Sequence, residues 1–307
     1  MKFGKVDDVT GIDLSLPKDH PDTRIVFSER KANPESDKPT IYVGCSRWSK
    51  NDLKGFYPRG TKDELAYYST QFNAVELNAS FYRIFPPEQF EKWKDKTASN
   101  FKFFPKIPQL ISHYRQLNNI EGVLDEFIHS AIRLEDKLGT TFLQLNDRFA
   151  PNRFNKLAHF IELWPKDLPL TVEVRHTDWF NETTVADELF DLLHSNGVAS
   201  TLVDTAGRRD LVHMRMTTSQ PFVRYVGANH FSDYTRLNEW VGRIGEWIEQ
   251  GMTELNFFIH QNIEEASPLL ASHFIQLLNS ELGYDLHVPE MAPDKKATSK
   301  KTNTLFD

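Results

Sequence analysis

Two glutamates stand in short alternations that would bury them. In Ala74-Val75-Glu76-Leu77-Asn78, the apolar Val75 and Leu77 share one face of a strand, which puts Glu76 and Asn78 on the other. The same parity in Leu170-Thr171-Val172-Glu173-Val174-Arg175 sets Glu173 beside Arg175, opposite Val172 and Val174. A carboxylate removed from water must be paired. Two carboxylates in different surroundings can also separate their pKa values and act as acid and base, for instance in cleaving or isomerising a sugar-like molecule. Lys106, which closes a third apolar run, has two uses: a salt bridge to Glu76 or Glu173, or, when desolvated, an amine for Schiff-base chemistry. His176, one residue past Arg175, joins Glu76, Glu173 and Lys106 as a candidate catalytic group.

Around these four lie candidate binding groups. Gln144, Asn146, Asp204, Arg224, His260 and Gln261 each fall at or just beyond the end of an apolar run. Arg47, Arg83, Arg115, Arg175 and Arg224 could converge, and guanidinium forks suit carboxylate or phosphate, so an anionic ligand is expected. Trp48, Phe56 and Tyr57 in one segment, Phe81 and Tyr82 in a second and Trp179 in a third are either walls for a ligand or plugs of a fold's open end. An ion-pair lattice such as Glu173 with Arg175 or Arg224 is the structural alternative for any one residue. For the whole set it is less comfortable, because buried ion pairs seldom stabilise more than apolar packing does. The one cysteine, Cys45, reads as a small buried thiol rather than a nucleophile, since no signature supplies it with a base. No glycine-rich phosphate loop of the Walker or dinucleotide type is present.

The elements that must position these groups are β-type runs at Ile41 to Cys45, Ala74 to Asn78, Phe101 to Lys106, Thr141 to Leu145, Leu170 to Arg175, Val198 to Val203, Phe222 to Val226 and Leu255 to His260. Helical periodicity separates nearly all of them, over Asp63 to Gln71, Pro87 to Lys94, Ile120 to Lys137, Arg153 to Leu163, Thr184 to Asn196, Asp233 to Gln250 and Ala266 to Asn279. Strict alternation implies parallel strands joined by crossovers, and eight units in roughly 240 residues match a closed (β/α)8 TIM-type barrel better than an open doubly wound sheet. Function in such barrels gathers at the carboxyl ends of the strands, where the polar groups above fall. The sixth unit is irregular, since Thr205 to Gln220 has a broken period and reads as a long loop.

The barrel is expected over residues 40–280, with an amino-terminal arm over 1–39 in which Arg24 to Phe27 reads as a short strand, and a polar tail over 281–307, disordered at its end. No apolar run approaches a membrane span, and the start lacks a signal peptide. With a single cysteine, this predicts a reducing cytoplasm. A net charge of −7 argues against a broadly basic nucleic-acid surface, although Arg208, Arg209 and Arg215 could form a short basic track.

The segments VGCSRWSKNDLKGFYPRG, YYSTQFNAVELNASFYR, FKFFPKIPQLISHYR, LGTTFLQLNDRF and VEVRHTDWF, in that order, resemble landmarks of the YecE-like family, domain of unknown function 72, over about residues 41–279. The resemblance implies a β/α barrel and a candidate pocket, and no reaction. By motif position it covers Trp48, Tyr57, Glu76, Asn78, Phe81, Tyr82, Arg83, Lys106, His113, Gln144, Glu173, Arg175, His176 and Trp179. Two places depart from it. The family's arginine, any residue, histidine, glycine near strand seven is here Arg224-Tyr225-Val226-Gly227, and its phenylalanine and two asparagines on strand eight are here Ile259-His260-Gln261.

Glu173, Asp204 and His260 also match in part the order of metal ligands in xylose-isomerase-like barrels. Arg224 stands at strand seven, however, and no compact HxH or HExxH spacing occurs, so no cofactor is expected and a divalent metal is the minor alternative. The expectation is an enzyme acting on a small anionic or sugar-like substrate by carboxylate acid/base chemistry. The alternative is a non-catalytic protein that binds an anionic metabolite or nucleic acid.

Overall fold

The computed structural model describes residues 4–29 and 38–292. Eight parallel strands alternate with helices: β1 (Thr40–Cys45), β2 (Ala74–Leu77), β3 (Lys102–Pro105), β4 (Thr141–Gln144), β5 (Leu170–Glu173), β6 (Ala199–Thr205), β7 (Phe222–Gly227) and β8 (Glu254–Gln261). Each lies within two residues of its expected boundaries. Neighbouring ladders run from β3 through β2, β1, β8, β7, β6 and β5 to β4. The sheet nearly closes where Lys106 bridges Phe142 and the Ile107 amide donates to the Phe142 carbonyl at 3.0 Å. The fold is a (β/α)8 TIM-type barrel.

The barrel interior is layered. Tyr42, Ala74, Phe104, Phe142, Phe222 and Phe258 fill the lower part, with ring centroids 4.8 Å apart for Phe104 and Phe258 and 5.1 Å for Phe222 and Phe258. Two residues further along the same strands, on the same face, come Glu76, Lys106, Gln144, Arg224 and His260. An aromatic floor below and charges above is thus the direct result of period-two alternation in each strand.

Outside the strands, amphipathic helices cover the barrel. Ser232–Gln250 buries Leu237, Trp240, Val241, Ile244 and Trp247, spaced three and four apart, and stops at Gly251, whose φ of 112° is open to glycine. The expected helix Ile120 to Lys137 is instead an α-helix, Glu121–Ala131, continued by a 3₁₀ segment, Ile132–Lys137, in which Glu135 takes φ 51°. Among the described residues, no helix is long and apolar enough to cross a membrane.

The amino-terminal arm differs from expectation. Arg24 to Phe27 is not a strand but part of a helix, Pro21–Ser28, which Pro21 begins and His20 caps through Nδ1 to the Asp22 amide at 3.3 Å. Its placement has a physical reason. Between β6 and β7 the chain forms only the three-residue 3₁₀ turn Arg209–Leu211, so the helix layer lacks a member there. The arm's helix fills that place: Thr23 Oγ1 donates to the Met214 carbonyl at 2.9 Å and accepts from the Met216 amide at 3.0 Å, while Phe27 packs edge-on against Trp247 at 6.0 Å. Upstream, the Gly4 carbonyl accepts from Thr205 Oγ1 at 2.8 Å and from the Gly207 amide at 3.0 Å, which ties the arm to the carboxyl end of β6. At the other terminus residues 283–292 form neither helix nor strand, and of the segment 289–307 expected to be disordered, residues 293–307 lie outside the described residues.

Candidate functional site

At the carboxyl end of the barrel, Arg224 of β7 lies between the two glutamates. Its Nε and Nη2 sit 2.8 and 3.0 Å from Glu76 Oε2 and Oε1, and its Nη1 sits 2.8 Å from Glu173 Oε2. Asn78 Nδ2 donates to Glu76 Oε1 at 2.7 Å, Arg175 Nε pairs with Glu173 Oε1, and Gln144 Nε2 donates to both Glu173 oxygens at 2.9 and 3.0 Å. Lys106 Nζ then donates to Gln144 Oε1 at 2.8 Å. Glu76, Lys106, Gln144, Glu173, Arg175 and Arg224 are all buried, and this chain of bonds satisfies the carboxylates without water.

The charges set one another's ionisation. Burial alone would raise both carboxyls, but Arg224 and His260 outweigh it and hold Glu76 well below its ordinary range, while Arg175 and Arg224 bring Glu173 to about 2. Both glutamates are therefore anionic at neutral pH, and neither is a general acid. Burial, joined by the charges of Arg224 and Arg175, pushes the Lys106 amine well down. His260 goes the other way: burial lowers it, but Glu76 more than compensates, so the imidazole is raised. Its Nε2 lies 3.0 Å from Glu76 Oε2, and its Nδ1 is 3.8 Å from Glu264 Oε1.

A cavity of about 410 Å³ opens above this layer. Arg175, Arg224 and His260 reach it from the floor, Trp48, Tyr82, Val203 and Val226 form walls, and the rest of the lining includes Asn78, Gln261, Glu264 and Arg47, which pairs with Asp52 at 3.2 Å. No described residue of the amino-terminal arm lines it. The two sequence departures meet here, because Val226 and His260 are ladder partners between β7 and β8. The imidazole missing from position 226 is offered instead by the adjoining strand.

Other candidates fall elsewhere. Asp204 faces outward from the barrel, where Arg236 Nη2 lies 2.6 Å away, Trp240 Nε1 donates at 2.7 Å and Arg209 pairs with it. Glu173, Asp204 and His260 consequently do not converge as a metal set, and among the described residues no three His, Cys, Asp or Glu side chains do. Tyr57 plugs rather than lines: its hydroxyl donates to the Trp48 carbonyl and its ring packs on Phe56 at 5.0 Å. Trp179 is fully buried with Nε1 on the Phe149 carbonyl at 2.7 Å. His176 lies outside the cavity, its Nδ1 accepting from the Asp178 amide at 3.2 Å. His113 packs against Phe81 at 5.0 Å, and burial first, then Lys106 and Arg175, lower it to about 4.

The five arginines do not all converge. Arg47, Arg175 and Arg224 line the cavity; Arg83 lies exposed over the Phe85 ring, and Arg115 turns to the Asn119 carbonyl. Nor is there a basic track in the sixth loop. Arg208 pairs with Asp210 at 2.6 Å, Arg209 with Asp204, and Arg215 with Asp22 and Asp187 at 2.5 and 2.6 Å. Cys45 is buried, and desolvation raises its thiol well above the ordinary value. Sequence reasoning missed Glu264, which lines the cavity beside His260 and accepts from Ser46 Oγ at 3.2 Å and Ser267 Oγ at 2.8 Å. Its only signal was an acidic residue just ahead of the Ser267-Pro268 helix start.

Comparison with known proteins places this geometry. The chain is 28% identical over 252 residues to the UPF0759 protein YecE of Escherichia coli (strain K12), covering 75% of this chain and 90% of that one. It is 32% identical over 158 residues to the UPF0759 protein YunF of Bacillus subtilis (strain 168), 46% of this chain and 52% of that one. Two crystal structures of DUF72 family proteins share the fold. One from Enterococcus faecalis V583 has a TM-score of 0.66 at 19% identity, covering 83% of this chain and all of its own 100%. One from Thermotoga maritima MSB8 has a TM-score of 0.58 at 23% identity, covering 78% and 99%. The family model described as protein of unknown function DUF72 matches residues 42–295, and the chain belongs to that family.

Proposed function

We propose that the protein is an enzyme acting on a small anionic or sugar-like substrate at the carboxyl mouth of the barrel, with His260 as the proton-transferring group. The observation that carries this is the imidazole's position: on the floor of a small cavity, held by Glu76 through Nε2, with Nδ1 left 3.8 Å from Glu264. Glu76 and Arg224, 3.0 and 3.3 Å from Nε2, hold the ring in place, and Nδ1 is the nitrogen left to exchange a proton with a ligand. Arg175 and Arg224 at the floor and Arg47 at the rim supply positive charge for the substrate's anionic end. Acid/base work passes to His260 because ionised Glu76 and Glu173 have no proton to give and every one of their oxygens is already engaged.

The test has two stages. Thermal unfolding is followed in the presence of phosphorylated sugars, nucleotides, organic acids and divalent metals, with Arg175→Ala as control. A ligand at about a hundred times its dissociation constant adds roughly 2.7 kcal/mol. Turnover of the stabilising compound is then measured in the wild type and in His260→Gln, with an expected loss of about 10²–10⁴-fold at little change in affinity. No stabilisation by any compound would sink the proposal.

A second reading is favoured by one fact: every carboxylate oxygen of Glu76 and Glu173 is already engaged. Such a lattice also suits a protein that binds an anionic metabolite without converting it. In that case Glu173→Gln changes affinity alone, whereas in the enzyme it lowers turnover.

A further inference from the structure

We propose that Lys106 is a nucleophilic amine, closed off from the cavity by the Phe81 ring, that forms an imine with the carbonyl carbon of a small oxo acid. The inference rests on the anionic-substrate reading of the same cavity and names its substrate class.

A buried lysine is ordinarily held by a carboxylate. Glu76 and Glu173 were the expected partners, but Arg224 and Arg175 occupy both, and among the described residues no acidic side chain lies within ion-pair distance of Lys106. What remains for a fully buried Nζ is one amide oxygen, Gln144 Oε1 at 2.8 Å, and two ring faces, Phe81 at 4.1 Å and Phe142 at 5.2 Å. An ammonium has three protons to place and a charge to balance, whereas a neutral amine donates one hydrogen bond and keeps its lone pair. The two ring faces attract an ammonium, but full burial with no carboxylate to balance the charge favours the neutral amine, whose lone pair is what attacks a carbonyl.

Access is governed by one side chain. Asn78, Ala79 and Tyr82 line the cavity, and Phe81 between them is buried, with its ring over Nζ and edge-on to Tyr82 and His113 at 5.3 and 5.0 Å. Phe81 belongs to the four-residue helix Ala79–Tyr82, which has no side-chain cap. Neither Phe81 nor Lys106 lines the cavity, so the imine requires this ring to rotate away from the amine. An oxo acid suits the combined space, because its carboxylate pairs with Arg175 and Arg224 while its carbonyl carbon is left for Lys106. In the reaction the nitrogen forms a bond to the carbonyl carbon, both amine protons pass to the carbonyl oxygen, and that oxygen departs as water, leaving a C=N bond.

The full-length protein is incubated with glyoxylate and cyanoborohydride, which reduces the imine to a stable secondary amine, and digested for peptide mapping by mass spectrometry. Melting is followed in parallel with glyoxylate alone. The expected result is one modified lysine, Lys106, with the label lost in Lys106→Met, gained faster in Phe81→Ala and slowed in Arg175→Ala. Mapping the unaltered chain keeps the test independent of whether any variant folds. A melting shift with label absent or confined to surface lysines overturns the imine and leaves the anionic-substrate reading standing. Neither shift nor label overturns the imine and the oxo-acid class together, and the anionic-substrate reading then stands or falls on the wider compound screen. Equal labelling of Lys106 by propionaldehyde, which has no carboxylate, overturns the assignment to oxo acids.

Discussion

Arg224 grips Glu76 by two parallel bonds, Nε to Oε2 at 2.8 Å and Nη2 to Oε1 at 3.0 Å, across residues 148 apart in sequence. The same guanidinium reaches Glu173 with Nη1, so both buried carboxylates depend on it. Removing one member of such a group leaves uncompensated charge in a medium that solvates it poorly. Arg224→Met is expected to cost about 3–5 kcal/mol in urea denaturation, and adding Glu76→Gln should restore part of that loss. A cost near zero would mean that water reaches the carboxylates.

Acid unfolding should report the glutamates and a histidine in separate windows. Glu173 titrates at about 2 in the folded chain against an ordinary 4.5, so the unfolded state binds more protons between these values. Its contribution is complete above pH 4.5 and is lost as pH falls toward 2. His213, hydrogen-bonded to the Thr201 carbonyl and packed on Phe180 and Phe190, is brought by burial from 6.5 to about 4. That stability is complete above pH 6.5 and is lost as pH falls toward 4. Stability measured against pH should decline in both windows; Glu173→Gln should flatten the lower and His213→Gln the upper.

The amino-terminal helix should behave as part of the barrel. Phe27 is fully buried against Trp247, and Gly251 lets the Phe27 carbonyl come close, since a Cβ there would lie 2.5 Å from that oxygen. Phe27→Ala is expected to destabilise by about 3–5 kcal/mol and to expose the connection between β6 and β7 to proteolysis. If limited proteolysis cut the arm first and left the rest as stable as before, the arm would be an accessory.

Asp204 separates a structural carboxylate from a functional one. It is held outside the barrel by Arg236, Arg209 and Trp240, so Asp204→Asn should lower stability by about 1–3 kcal/mol and leave affinity for cavity ligands unchanged. Ligand titration and denaturation of one variant check both halves. A loss of affinity at full stability would contradict the outward placement.

The residues that sequence parity placed correctly are those on strands with one polar face. Glu76, Asn78, Glu173 and Arg175 stand in clear alternation, and each points inward. Asp204 was misplaced because β6 reads Ala-Ser-Thr-Leu-Val-Asp-Thr, with polar and apolar residues in adjacent pairs rather than alternating, so parity gives it no register. Arg24 to Phe27 read as a short strand from its Ile25-Val26-Phe27 run, since the short helix Pro21–Ser28 has few internal hydrogen bonds and forms by docking into the vacant sixth place.

By itself the sequence determined the eightfold alternation of strand and helix and the delivery of carboxylates to the barrel's interior, because both follow from periodicities that act over a few residues. Which charge answers which was decided only in three dimensions. Glu76 had Lys106, Arg175 and Arg224 as available partners, and barrel closure, by setting the order and stagger of the strands, gave it Arg224 and left Lys106 with an amide.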